Sequence, residues 1–269
     1  MTKCHVILLA DRSRPHIDET ASKLETALAD VVDFLPHSEV AMGDAQRAIA
    51  IGGDGTLITH GPTLAKHGIP LVGVNSGKLG FLAKFDAASL IEHREVVFGE
   101  STPTLEVMLL DISVDEKPAT IAMNEAMITA GYPFEILELG LSINGIPAPP
   151  LRGDGIIVST PTGSTAHSAS FGGPIVDPSA KAFILTPIAA HSLAVRPIVL
   201  DAAAVVTVDI LQANDQTSLV IDGKVICTLH KGMQVHAKRS EYSLSIVCNP
   251  SSTFWNALVD KLHWAAPPG

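Results

Sequence analysis

The chain has 269 residues, 46% of them apolar and 17% charged, with 18 Lys and Arg against 28 Asp and Glu for a formal net charge of −10. That balance fits a well-filled globular core and excludes a disordered chain, a coiled coil, or a general grip on nucleic acid, which needs a dense basic surface. Cys4, Cys227 and Cys248 are too far apart for a disulfide framework or structural zinc site and are expected as buried packing residues, and no apolar run nears the ~20 residues that span a bilayer, so a soluble cytoplasmic protein is expected.

Along the first hundred residues, short apolar runs alternate with longer polar-periodic ones. HVILLA (5–10), VVDFL (31–35), AIAI (48–51) and IPLVGV (69–74) read as strands. TASKLETALAD (20–30) and the segment after Gly55 read as helices, so a Rossmann-like parallel α/β sheet is expected over residues 1–99. From about residue 102 the runs become short, β-branched and often alternating: LEVMLLDISV, TIAMNEAMITA, FEILELGLSI, GIIVST, VVTVDIL, SLVIDG, KVICTL, MQVHAKR and YSLSIV. With turn dipeptides at Asn144-Gly145 and Asp222-Gly223, residues 100–249 predict an antiparallel, sandwich-like β domain. FWNALVDKLHW (254–264) carries a helical apolar stripe too isolated to fold alone, so residues 250–269 are expected to dock back on the first domain.

Three stretches could carry chemistry. GGDG (52–55) falls where strand AIAI hands over to a helix, the end of an α/β sheet where ligands sit. Glycines there let backbone N–H groups approach an anion; the plainer alternative is a tight turn with Asp54 as helix N-cap. Neither a P-loop nor a GxGxxG fingerprint is present. In STPTGSTAHSAS (159–170), seven Ser and Thr hydroxyls crowd into twelve uncharged residues, enough to read a base edge or ribose, or to make an ordinary turn. The Gly-Asp-Gly at 153–155 is either a site or a hairpin turn. Asn124 and Glu125 interrupt an apolar strand; neighbouring strand residues face opposite ways, so at least one meets the core or a cleft unless the strand breaks there. The histidines show neither HxH nor HExxH spacing, so no protein metal site is assigned.

GGDGTLI, VNSGKLGFL (74–82), NEAMI (124–128), DGIIVSTPTGSTAHSASFGGPIV (154–176), LTPIAAHSLAVRPIVL (185–200) and FWNALVDKLHW resemble, in that order, the NAD kinases. GGDG alone also occurs in diacylglycerol, sphingosine and phosphofructo-kinases; the ordered set is the specific signal. The resemblance implies that Asp54 is the general base at the 2′-hydroxyl of the NAD adenosine ribose and that Gly52, Gly53, Gly55 and Thr56 frame the phosphate donor. Gly55 also borders NAD. It implies further NAD contacts from Phe81, Asn124, Glu125, Asp154, Thr165, Ala166 and Ser170. His167 stands where the family usually has tyrosine, and keeps a flat ring able to stack on adenine.

The implied reaction moves the γ-phosphoryl group of ATP, or polyphosphate, to NAD. ATP's charge on an acidic protein calls for Mg²⁺ or another divalent cation carried with the nucleotide. Lys78, Arg152, Lys181 and Arg196 are candidate partners of the donor phosphates. The alternatives are a lipid kinase of the diacylglycerol or sphingosine type, and a non-catalytic NAD sensor, which would be expected to lack Asp54. The resemblance also implies a homodimer or homotetramer, with no nucleic-acid or membrane partner.

Overall fold

A computed structural model of the protein describes residues 3–36, 38–77 and 80–264. In chain order the elements are β1 (Cys4–Ala10), α1 (Pro15–Ala27), β2 (Val32–Leu35), α2 (Glu39–Asp44), β3 (Arg47–Ile51), α3 (Asp54–Lys66), β4 (Leu71–Val74), α4 (Ala87–Glu92), α5 (Arg94–Val97), β5 (Thr104–Val114), β6 (Thr120–Ala122), β7 (Glu125–Thr129), β8 (Leu137–Ile143), β9 (Ile146–Gly153) and β10 (Gly155–Ser159). A 3₁₀ turn (Thr162–Thr165) follows, then α6 (His167–Ser170), β11 (Ala182–Ile188), β12 (Ile198–Asp201), β13 (Val205–Gln212), β14 (Ser218–Ile221), β15 (Lys224–Thr228), β16 (Gln234–Val247) and α7 (Phe254–Leu262). Contacts divide the chain into Met1–Glu106 with Ser243–Gly269, and Val107–Tyr242.

In the first unit β2, β1, β3 and β4 lie parallel in that order, and the end of β16 pairs parallel with β4 at Ile246 and Leu71. Helix α1 starts earlier than its apolar pattern suggests because Pro15, preset for helical φ, opens its first turn. It buries Ile17, Ala21 and Leu24, spaced as one helix face, against the sheet residues Val6, Ile49 and Val72. Thr253 caps α7 reciprocally with Asn256. Ala257 and Leu258 are buried, and the Phe254 ring lies 6.2 Å from that of Phe81. Asn249 Nδ2 donates to the Lys84 carbonyl at 2.7 Å, so the C-terminal segment docks on the α/β unit. The expected apolar stripe is only partly used, since Trp255 and Trp264 stay 62% and 49% exposed and pack on each other.

The second unit is antiparallel. One layer runs β12-β11-β10-β7-β14-β15; in the other, β8 pairs with β9 and β13, and β13 with β16. Apolar side chains from both layers, among them Leu110, Leu139, Val208, Val158, Phe183 and Leu219, form one core. Both turn dipeptides form hairpins with positive φ, at Asn144-Gly145 and Asp222-Gly223. Strand β9 carries Pro147, Pro149 and Pro150, which is tolerable because it pairs on one side only.

Four expectations change. MQVHAKR and YSLSIV are one continuous strand, β16. TIAMNEAMITA is two strands, β6 and β7, separated by Met123 and Asn124. Gly153–Gly155 is no hairpin turn, because β9 and β10 belong to different layers and the chain changes sheet at Asp154. Of the cysteines only Cys4 is buried; Cys227 and Cys248 are half-buried.

Candidate functional site

Gly53 is the N-cap of α3 and Asp54 its first residue, so the N-cap alternative for Asp54 fails. Its carboxylate instead reaches the loop after β4. Oδ2 accepts from the Phe81 N–H at 2.9 Å, and Oδ1 from the N–H groups of Leu82 and Ala83 at 3.1 and 3.0 Å. That contact needs Gly80, where any β-carbon would run into the Asp54 carboxylate. A carboxylate offers about four acceptor positions. Three are taken here, leaving one on Oδ2, and the residue is half-exposed.

Gly53 and Gly55 are exposed, with open space where their side chains would be. Gly52 N–H donates to the Val74 carbonyl and Thr56 N–H to that of Gly53, both at 2.9 Å. No acceptor is paired with the N–H groups of Gly53, Asp54 or Gly55 among the described residues. Three such donors at the start of a 13-residue helix suit an anion.

In the second unit the break between β6 and β7 turns Asn124 and Glu125 inward, leaving them 8% and 3% exposed. Glu125 Oε1 meets His167 Nδ1 at 2.7 Å; the imidazole itself is half-exposed. Burial pushes the Glu125 carboxyl above the ordinary carboxylate range, against the pull of His167. Asn124 Oδ1, Glu125 Oε2 and Thr162 Oγ1 are buried with no hydrogen-bond partner among the described residues. Buried polar atoms are normally satisfied, so three orphans in neighbouring segments mark a place built for something else. Gly163 packs directly on the Asn124 carbonyl, with no room for a β-carbon.

The structure thus gathers Asn124, Glu125 and His167, with Thr165, Ala166 and Ser170 on the same 3₁₀ turn and short helix. Thr165 Oγ1 donates to the Thr162 carbonyl at 3.3 Å, and Ser170 is exposed one turn after His167. Asp154 does not join them. Register pairs Ser159 with Glu125 but Gly155 with Thr129, placing Asp154 at the opposite end of β10, about 16 Å away at ~3.3 Å per residue. Phe81 sits in the first unit, its N–H on Asp54 and its ring on Phe254.

Of the candidate phosphate partners, Lys78 lies outside the described residues. Arg196 is exposed and donates from Nη1 to the carbonyls of Leu193 and Val195. A cleft of about 900 Å³ beside Cys4 and Arg47 lies at the opposite strand ends from Asp54, and its Lys3 and Arg47 are balanced by Glu95 and Glu100. Two residues were not singled out from sequence. Thr162 was one hydroxyl in a crowd, and Asp222 looked like a turn residue; neither the orphaned oxygen nor a contact 98 positions away leaves a local signal.

The ATP-NAD kinase N-terminal domain family matches residues 9–99, and the ATP-NAD kinase C-terminal domain family residues 123–248. A Geobacter sulfurreducens protein named NAD kinase is 35% identical over 224 residues, covering 82% of this chain and 79% of that one. A Rhodopirellula baltica NAD kinase is 33% identical, covering 94% and 81%. Yeast NADH kinase, solved with NADH, shares the fold at a TM-score of 0.86 over 99% of this chain and 89% of its own, at 19% identity. An Archaeoglobus fulgidus NAD kinase solved with ATP gives 0.75 over 97% and 99%, at 23% identity. The α/β unit with GGDG after its third strand and the two-layered β unit are those of the nucleotide-phosphorylating kinases that share this fold. Within them, the chain belongs to the NAD kinase family.

Proposed function

We propose that the protein transfers the γ-phosphoryl group of ATP to the 2′-hydroxyl of the adenosine ribose of NAD, giving NADP and ADP, with Asp54 as general base. The observation that carries this is the Asp54 carboxylate, held by three backbone N–H groups yet keeping one acceptor position free on Oδ2. Phosphoryl transfer passes through a loose transition state, so alignment and charge neutralisation do most of the work. The ribose oxygen forms its bond to the γ-phosphorus as the bond to the β–γ bridging oxygen breaks. Asp54 orients the hydroxyl and takes its proton late, which suits a weak base. The N–H groups of Gly53, Asp54 and Gly55 at the start of α3 serve the donor phosphates, and Gly52 and Thr56, whose N–H groups are already bonded, frame them.

Asn124, Glu125, Thr165, Ala166, His167 and Ser170 hold the adenosine part of NAD, with the orphaned oxygens of Asn124 and Glu125 accepting from its hydroxyl or amino groups. Asp154, at the far end of β10, serves the nicotinamide side; Phe81 flanks the dinucleotide and Gly55 borders it. Among the described residues no three His, Cys, Asp or Glu side chains converge on a point. A divalent cation, best Mg²⁺, fits as an ion held by the nucleotide's own phosphates and waters, where it neutralises their charge. Arg152, Lys181 and Arg196 are the candidates for that task among the described residues. The enzyme acts in the cytoplasm as a homodimer or homotetramer; no helix among the described residues is long and apolar enough to cross a membrane.

The test is a coupled assay for NADP from NAD, ATP and Mg²⁺, repeated with NADH, with polyphosphate, and with a chelator. NADP that forms with ATP and vanishes on chelation is the expected result. No NADP from any donor, or phosphorylation of a diacylglycerol or sphingosine instead, overturns the reading.

A further inference from the structure

We propose that Asp222, on the hairpin between β14 and β15, is a positioning residue that holds the Met123–Glu125 turn so that Asn124 and Glu125 face the dinucleotide; this rests on the function proposed above. A type I′ hairpin needs no side-chain bond from its first turn residue, and Asp222-Gly223 already has the positive φ values that turn requires. Yet the Asp222 carboxylate reaches across to β7. Oδ2 accepts from Met123 N–H at 2.7 Å, and Oδ1 from the N–H groups of Asn124 and Glu125 at 2.8 and 3.1 Å. The Asp222 N–H returns a bond to the Glu125 carbonyl at 3.1 Å.

Thr160 closes the other side. Its hydroxyl donates to the Met123 carbonyl and its N–H to the Asn124 carbonyl, both at 2.8 Å, and its hydroxyl accepts from Gly163 N–H at 3.1 Å. Every backbone donor and acceptor of residues 123–125 is therefore used by two residues, Asp222 and Thr160. What stays unused is on the side chains: Asn124 Oδ1 and Glu125 Oε2, buried and unpartnered. A segment whose backbone is fully satisfied cannot twist to bond those atoms internally without losing bonds it has. Asp222 is thus what keeps the orphaned atoms available for a ligand. A carboxylate suits the task because three converging N–H groups form an anion-binding nest, and bonds to an ionised acceptor are the stronger kind.

Asp222→Asn, Thr160→Val and Thr160→Ser are made in the full chain and compared by calorimetric titration with NAD and by steady-state kinetics in both substrates. An amide cannot accept three N–H groups, and valine removes the hydroxyl, so Asp222→Asn and Thr160→Val should each weaken NAD binding and raise its KM about tenfold, with the KM for ATP within about twofold. Thr160→Ser keeps the donor and should bind NAD within about twofold of the parent. Unchanged NAD affinity in Asp222→Asn, or equal losses for NAD and ATP, overturns the proposal. If Asp222→Asn does not fold, the two Thr160 variants decide: serine as damaging as valine, or valine harmless, overturns it. Failure of the kinase reading shows separately, as a parent chain that titrates with NAD but makes no NADP.

Discussion

Asp54 and Asp222 solve the same local problem in different units. Each accepts three backbone N–H groups from a loop distant in sequence, at 2.9 to 3.1 Å for Asp54 and 2.7 to 3.1 Å for Asp222. They differ in what remains. Asp54 begins a helix, is half-exposed and shares its surroundings with unpaired N–H groups. Asp222 is half-exposed as well, but its three donors belong to the buried residues Met123, Asn124 and Glu125, and burial raises its carboxyl above the ordinary range even though those N–H bonds pull it down. The same cage therefore holds one carboxylate beside N–H groups that no described residue pairs, and the other beneath a buried turn whose backbone it satisfies. Hydrogen-bond count alone would not have separated them.

Asp54→Asn should break that contrast most sharply. The amide cannot take the ribose proton, so kcat should fall about 10²- to 10⁴-fold while the calorimetric NAD affinity changes little. Near-parental turnover would remove the base assignment. Asp222→Ala should act on stability, because its three donors are left without an acceptor among buried neighbours; a loss of about 3 kcal/mol, read from the urea midpoint, is expected. A loss below about 1 kcal/mol would remove the structural role given to those three bonds. Phe254→Ala removes the ring packed on Phe81, and should lower kcat about threefold to tenfold by loosening the Asp54 cage. An unchanged kcat with a lowered melting temperature would confine α7 to a structural role. Glu125→Gln is the smallest and reports on sign. A carboxyl raised by burial contributes stability that is present below its unfolded value of ~4.3 and is lost as pH rises through the folded one. The neutral amide escapes that loss, so the variant should be the more stable protein at neutral pH and lose its advantage in acid. An advantage that grows on acidification would reverse the stated cause.

Local pattern carried most of the fold. The four parallel strands are short apolar runs and the two positive-φ hairpins carry Asn-Gly and Asp-Gly, and they lie where the sequence predicts. What pattern could not reach was set by distant partners. The Asn124–Glu125 interruption is visible in the sequence, but whether the strand bends or merely buries a charge depends on Asp222 and Thr160, which sit 98 and 36 residues from Asn124. Strands β11 and β12 were read only as part of a family motif, because prolines at 187 and 197 hide their alternation. Asp54 was picked out for its glycine neighbours. Its real anchor, the N–H groups of residues 81–83, depends on Gly80, which is unremarkable in a row of letters.

The docking of α7 ties the order of synthesis to the readiness of the enzyme. Phe254 presses on Phe81 and Asn249 grips the Lys84 carbonyl, one at each side of the amides that hold Asp54. A nascent chain that has folded its first hundred residues already has the amides that hold its acid, but lacks the clasp that backs them. The full catalytic rate should arrive only after the ribosome has delivered Phe254, so that a stalled or clipped product turns over nucleotide more slowly than the finished chain.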